Sequence, residues 1–205
     1  MAEEALSPHW ADQGKGAAGR APESWLGLVG QLRELQDAVA GSVPPPEVAA
    51  EVSALLARSR QLLEPYAVSD EDRVFGRLLT VRGRGQTLIP PLVISHQGDG
   101  ELRATTQFGA FYAGSRGAIH GGALALMFDD AMGHTAGHGH RPPFRTAYLR
   151  LEYRSVAPLG RRLAVAIRVT EQAGRKRYLH GTLHDGDRLC AEATALFVDL
   201  RPGQP

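Results

Sequence analysis

The sequence contains a single cysteine, Cys190, among 205 residues. One cysteine cannot form an internal disulfide, and this usage fits a reducing compartment. No apolar run approaches the length of about 18 residues that a transmembrane helix needs. The opening stretch MAEEALSPHW is acidic and leads into no apolar segment, which argues against a secretory signal. We therefore expect a cytoplasmic protein without a membrane span.

The sequence also lacks a strong charge of either sign and a recognisable nucleophile motif. The net charge of +1 gives no reason to expect nucleic acid or a membrane surface as the main partner. No serine lies in a GxSxG context. His134, His138 and His140 follow a spacing seen in zinc sites, but glycines interrupt that stretch and no cysteine is near. A surface loop is the favoured interpretation, and we expect no metal and no cofactor.

Three segments differ in composition. Residues 1–23 are rich in small and polar residues and predict a mobile N-terminal tail. Residues 24–68 predict a helical hairpin, in which the first helix ends before Pro44-Pro45-Pro46 and the second runs from Pro46 to Leu63. Its core is too small to stand alone, so we expect the hairpin to pack on the rest of the chain or on a second subunit. Residues 69–203 form the main domain.

The main domain predicts an α+β fold in which antiparallel strands surround one apolar helix. Two short strands flank the turn QGDG and precede the helix, and four strands follow it. The six predicted strands are Leu92–His96, Glu101–Gln107, Arg145–Tyr153, Leu163–Glu171, Arg177–His184 and Leu189–Asp199.

The central helix carries two acids that its apolar composition does not explain. The stretch GAIHGGALALMFDDAMG is apolar on nearly all sides, so the helix should be buried. Asp129 and Asp130 point about 100° apart on the helix. Asp130 has His134 one turn away as a partner, whereas Asp129 has none on the helix. Asp129 is therefore either a functional, partly desolvated acid or the partner of an arginine from another strand or subunit.

Gly121 and Gly122 stand at the predicted start of this helix. The first N–H groups of a helix have no internal partner and carry partial positive charge. Glycines also let another group approach the backbone closely. This helix start can therefore hold an anion, or an oxygen that becomes negative during a reaction.

The pattern HGG-x6-D, formed by His120, Gly121, Gly122 and Asp129, resembles the active-site helix of the hotdog-fold acyl-CoA thioesterases of the PaaI-like group. The resemblance covers residues 74–201 and includes the segments RTAYLRLEYRSVAPLG, GRK and CAEATALFVDL. It is closest to the branch with a helical N-terminal extension. It implies a hotdog fold, a curved antiparallel sheet wrapped round one α-helix, in a homodimer or a dimer of dimers.

The resemblance also implies catalytic roles. Asp129 would act as general base or nucleophile, the N–H of Gly121 as oxyanion donor, and His120 would help place the thioester carbonyl. The hydroxyl of Thr146, contributed by the other subunit, would position water. Where some family members carry an asparagine six residues before the histidine, this chain has Gly114, a departure that leaves side-chain help from this loop unsupported.

Four further residues are predicted to bind substrate. Gly122 and Ser115 lie next to the expected carbonyl site. Arg175 and Lys176, with Arg177 beyond, would bind the phosphates of coenzyme A. A solvated turn is an equally good interpretation of these basic residues.

The sequence thus indicates an acyl-CoA thioesterase that releases a carboxylic acid and coenzyme A. Coenzyme A would be part of the substrate, and no nucleic acid is expected as a partner. One alternative is a non-catalytic hotdog protein that binds acyl-CoA as a sensor. A hydratase of the same fold ranks last, because such enzymes place their Asp and His close together, whereas His120 precedes Asp129 by nine residues.

Overall fold

The computed structural model describes residues 23–70, 72–78, 81–139 and 143–204. The predicted mobile tail lies, apart from residue 23, outside the described residues. These residues form three α-helices and six β-strands, joined in places by short 3₁₀ turns. They are α1 (Glu23–Ala40), α2 (Pro46–Leu63), β1 (Leu92–Gly98), β2 (Glu101–Gln107), α3 (Gly121–Gly137), β3 (Phe144–Tyr153), β4 (Arg162–Ala173), β5 (Lys176–Asp185) and β6 (Arg188–Asp199).

The six strands form one antiparallel sheet with the order β1-β2-β4-β5-β6-β3. The predicted order of elements is confirmed, and each predicted strand boundary falls within two residues of the observed one. Three hairpins join β1 to β2, β4 to β5 and β5 to β6. Strand β3, which follows α3 in the chain, pairs antiparallel with β6 and forms one edge of the sheet.

The core lies between α3 and the inner face of the sheet. Met127 and Phe128 of α3 are fully buried against this face. A Cβ atom on Gly181 of β5 would come within 2.9 Å of Met132 and 3.1 Å of Phe128. The side chains of α3 therefore pack directly against the backbone of β5 at Gly181. This close approach explains the glycine in the middle of a strand.

The two N-terminal helices differ in how they relate to the domain. In α1, the Arg33 guanidinium donates to the carbonyls of Gln86 and Ile89, and Asp37 accepts the N–H of Phe111 at 2.8 Å. Helix α2 has no buried residue. The expectation of packing on the domain is therefore met by α1. None of the helices in the described residues has the length and apolar character that a membrane crossing requires.

Candidate active site

Strand β3 contacts α3 at two places because its register contains a bulge. The pairing of β3 with β6 shifts between Thr146 and Tyr148. Side chains alternate between the two faces of a strand, so without a bulge Thr146 and Tyr153 would face opposite sides. The bulge changes the alternation, and Leu149 and Leu151 then pack on the core together with Phe144. Both Thr146 and Tyr153 consequently face α3.

The first of these two contacts joins Thr146 of β3 to Asp129 of α3. The Thr146 hydroxyl donates to Oδ1 of Asp129 at 2.9 Å. This hydroxyl, expected from the other subunit, lies here in the same chain as the carboxylate, because the bulged start of β3 lies directly over this turn of α3. In a single chain the side chain of Asp129 is exposed.

Asp130 is the acid that the fold buries. Its side chain is 4% exposed, and Arg84 Nε lies 2.5 Å from its Oδ1. The ring of His134 lies 3.7 Å from its other oxygen, so the predicted partner one turn away is confirmed. Burial lowers the pKa of His134 and the nearby Arg84 adds to this, while Asp130 opposes it. Within the described residues of one chain, the arginine pair considered for Asp129 is found at Asp130.

Arg84 reaches Asp130 from an unusual backbone conformation that the sequence analysis missed. Gly83, Arg84 and Gly85 have φ angles of 64°, 55° and 63°. The left-handed region costs a non-glycine residue about 1 kcal/mol or more. The contact with Asp130 offsets this cost. The same loop accepts the hydrogen bonds from Arg33, so α1 helps hold Arg84 in place. The RGRG sequence was the available signal.

The start of α3 presents one open backbone donor. Nδ1 of His120 accepts the N–H of Gly122 at 3.0 Å, so His120 is the N-cap and its ring proton lies on Nε2. The N–H of Gly122 is therefore engaged. The N–H of Gly121 has no acceptor among the described residues. Ser115 lies in the exposed loop before α3, between Ala113 and Ile119, which pair with each other.

A cleft of about 470 Å³ runs from Asp129 along the C-terminal half of α3. Gly133, one turn after Asp129, keeps the cleft open: a Cβ there would lie 3.8 Å from Arg84 and 3.9 Å from Phe197. The glycine does not interrupt α3, contrary to the expectation, and the helix continues to Gly137. The cleft has charged groups on one wall and the apposed rings of Phe144 and Phe197 on the other. It can hold an acyl group beside a carboxylate.

The basic turn between β4 and β5 lies near the C-terminal end of α3. Arg175 donates to the carbonyl of Asp199 at 2.5 Å. Arg177 is buried, pairs with the carboxylate of Asp199 and donates to the carbonyl of Ala136 at 2.9 Å. Arg177 therefore closes the end of α3 and is not a surface ligand. Lys176 is exposed.

The histidines after Asp130 form no metal site in the described part of the chain. No cluster of three His, Cys, Asp or Glu side chains there could hold a metal ion. His134 is engaged with Asp130, and His138 is exposed beyond the end of α3. His140 lies outside the described residues.

Comparison with known proteins identifies the domain. Residues 116–192, which contain the helix start, Asp129 and Thr146, match the model of the thioesterase superfamily. This segment of the chain is therefore similar in sequence to the thioesterase superfamily. The crystal structure of a thioesterase superfamily protein superimposes with a TM-score of 0.75 at 26% identity, covering 87% of this chain and 92% of the other. The hotdog fold is confirmed, and the match extends well beyond the segment that the family model covers.

Curated relatives of this chain include acyl-coenzyme A thioesterase THEM4. The protein from Bos taurus is 32% identical over 144 residues, which are 68% of this chain and 58% of the relative. The protein from Xenopus laevis is 31% identical over 67% of this chain and 61% of its own length. The chain thus spans about three-fifths of these relatives. A Streptococcus pneumoniae thioesterase solved with coenzyme A is 18% identical, with a TM-score of 0.50 over 53% of this chain and 85% of the other, and shows the fold alone.

Proposed function

We propose that this protein hydrolyses acyl-CoA thioesters, with Asp129 as general base or nucleophile. The observation that carries the proposal is the exposed carboxylate of Asp129, oriented by the Thr146 hydroxyl at the mouth of the cleft. A carboxylate held by one hydroxyl keeps lone pairs for a water molecule or for direct attack. The names of the THEM4 relatives and the coenzyme A bound to the streptococcal neighbour support acyl-CoA as the substrate.

The active site, in this proposal, forms between two copies of the chain. Gly121 and Asp129 are eight residues apart on α3, which separates them by roughly 12 Å along the helix axis. In thioester hydrolysis the oxyanion donor contacts the carbonyl, the carbonyl contacts the water, and the water contacts the base, each over roughly 3 Å. Because this path bends at the carbonyl carbon, the distance from donor to base is shorter than the separation along the helix. This separation favours a site that combines Gly121 of one copy with Asp129 of another. A second copy related by two-fold symmetry would bring its Gly121 opposite Asp129.

The reaction then follows from these groups. Asp129 takes a proton from water as the water attacks the carbonyl carbon, or attacks that carbon itself. Negative charge develops on the carbonyl oxygen, where the N–H of the other copy's Gly121 stabilises it. The C–S bond breaks and the coenzyme A thiolate leaves; in the general-base route it takes up the proton held by Asp129. In the nucleophile route the acyl group stays on Asp129 as a mixed anhydride, which a water molecule then hydrolyses to release the acid and restore the carboxylate. Arg175 and Lys176 lie beyond the far end of the cleft from the helix start, and exposed Lys176 is the better placed of the two to meet a phosphate.

Thiol release tests this function. Wild-type protein and Asp129→Asn are assayed with straight-chain acyl-CoAs from short to long and with phenylacetyl-CoA, and binding is measured in parallel. Release by the wild type that the folded variant loses would support the thioesterase. Saturable acyl-CoA binding without release from any substrate would contradict it and favour the non-catalytic sensor.

A further inference from the structure

Tyr153 packs against the start of α3 from the last position of β3. Its hydroxyl lies 2.6 Å, and its ring carbon Cζ 3.0 Å, from the point where a Cβ on Gly121 would stand. A helical Cα–Cβ bond tilts toward the N-terminus of the helix. The Tyr153 hydroxyl therefore lies on the N-terminal side of Gly121, at the end of α3 where the open N–H is. A side chain at position 121 would displace the Tyr153 ring from this position.

The loop before α3 offers no side chain for the same task. Gly114 stands where some thioesterases of this kind carry an asparagine. A Cβ at Gly114 would come within 3.2 Å of the Ala118 carbonyl oxygen and of the His120 backbone. These neighbours are backbone atoms held by hydrogen bonds from Gly114 to Ala118 and from His120 to Tyr112. The loop in this conformation has no space for a side-chain donor at position 114.

We propose that the Tyr153 hydroxyl is a catalytic residue that donates a hydrogen bond to the thioester carbonyl oxygen, beside the N–H of Gly121. A phenol is a hydrogen-bond donor, and this one has no partner among the described residues. Tyr153 thus supplies the second donor that the loop cannot supply. The inference rests on the proposed thioesterase function and adds a residue to it.

The expected effect follows from the role of such donors. Charge on the carbonyl oxygen is greater in the transition state than in the bound substrate, so a donor at this oxygen raises kcat more than it lowers KM. Loss of one oxyanion donor costs enzymes about 10²-fold to 10³-fold in kcat. Tyr153 is largely exposed in a single chain, so we expect the lower value for Tyr153→Phe, with KM little changed.

Tyr148→Phe is the matched control. Tyr148 lies on the same strand but on its outer face, and it is similarly exposed. Each variant loses one exposed hydroxyl from β3 and nothing else. We expect Tyr148→Phe to hydrolyse acyl-CoA at the wild-type rate and both variants to unfold at the wild-type denaturant concentration. Wild-type activity in Tyr153→Phe would overturn the inference and leave the proposed function standing.

A spectroscopic measurement separates hydrogen bonding from packing. Phenylacetyl-CoA is bound to Asp129→Asn, with and without Tyr153→Phe, and the thioester carbonyl stretch is recorded by infrared difference spectroscopy. Loss of a donor should raise the stretching frequency, whereas a packing role would leave it unchanged and overturn the inference. If wild-type protein releases thiol from no acyl-CoA, the proposed function itself fails, and the catalytic role of Tyr153 fails with it.

Discussion

Asp129 and Asp130 are chemically identical neighbours in sequence, yet the fold gives them opposite surroundings. Asp129 is exposed at the mouth of the cleft and receives one hydrogen bond, from Thr146. Asp130 is buried and faces both Arg84 and His134. A turn of about 100° per residue is enough to place one carboxylate at the edge strand and the other under the RGRG loop. Asp130 has charged partners that stabilise the fold, and Asp129 is the acid to which we assign the proposed chemistry.

Under the proposed function, burial in a single chain does not identify the functional acid. The buried acid, Asp130, is the better paired of the two, as a buried charge requires. The acid that can accept further hydrogen bonds from solvent is the exposed one, Asp129. Substitutions that remove one charge at a time should therefore separate activity from stability.

The largest effect should follow from Asp130→Asn. In this variant the positive charge of Arg84, whose side chain is 23% exposed, faces a neutral amide in place of a carboxylate. Removing one partner of a buried ion pair lowers the free energy of unfolding by about 3 to 5 kcal/mol. Because Arg84 is partly exposed, we expect a loss of about 3 kcal/mol. Denaturant unfolding measures this loss. The same substitution at Asp129 is the control and should change the free energy of unfolding by less than about 0.5 kcal/mol. Equal losses in both variants would remove the distinction.

A smaller effect should follow from Thr146→Val, which keeps the shape of the side chain and removes the hydroxyl. The carboxylate of Asp129 then loses its only observed hydrogen bond in the described residues. We expect kcat for acyl-CoA hydrolysis to fall about tenfold, since a hydrogen bond to a charged group contributes about 1.5 kcal/mol. Thr146→Ser retains the donor and should restore most of the rate. A fully active Thr146→Val would show that Asp129 needs no orientation by this hydroxyl.

The smallest effect concerns the pH dependence of stability through His134. Burial lowers the pKa of His134 in the folded protein, so the unfolded chain binds this proton more readily. The contribution of neutral His134 to the free energy of unfolding is fully present above the pKa of the unfolded state, about 6.5, and is lost as the pH falls toward the pKa of the folded state. Asp130 and Arg84 are the charged groups that face the ring. His134→Gln should reduce the loss of stability between pH 7 and pH 5, whereas exposed His138→Gln should follow the wild type. A wild-type slope for His134→Gln would contradict this role.

Much of the fold could be predicted from local patterns in the sequence. The alternation of apolar and polar residues gave the strands, and the apolar helix beginning at Gly121 indicated the core. The partners of the acids could not be predicted in the same way. Arg84 lies 46 residues before Asp130, and only the left-handed turn around it brings the two together.

The bulge in β3 could not be predicted from the sequence either. No glycine or proline marks the position between Thr146 and Tyr148, and simple alternation would place Thr146 and Tyr153 on opposite faces. The role of Tyr153 depends on that single irregularity. Thr146 was predicted through family resemblance, which carries roles and not distances, and its contact with Asp129 of the same chain became clear only in the structure.

Subunit complementation would test most directly whether Asp129 of one copy acts on a thioester held by Gly121 of another. Asp129→Asn lacks the base, and Gly121→Leu fills the space beside Tyr153. Each variant is refolded alone, and an equal mixture of the two unfolded variants is refolded in parallel. Acyl-CoA hydrolysis is measured in all three samples. We expect each alone to be inactive. We expect the mixture to recover about one quarter of wild-type activity, because half of the random dimers would contain one intact site out of two. An inactive mixture that contains mixed dimers would contradict the shared site.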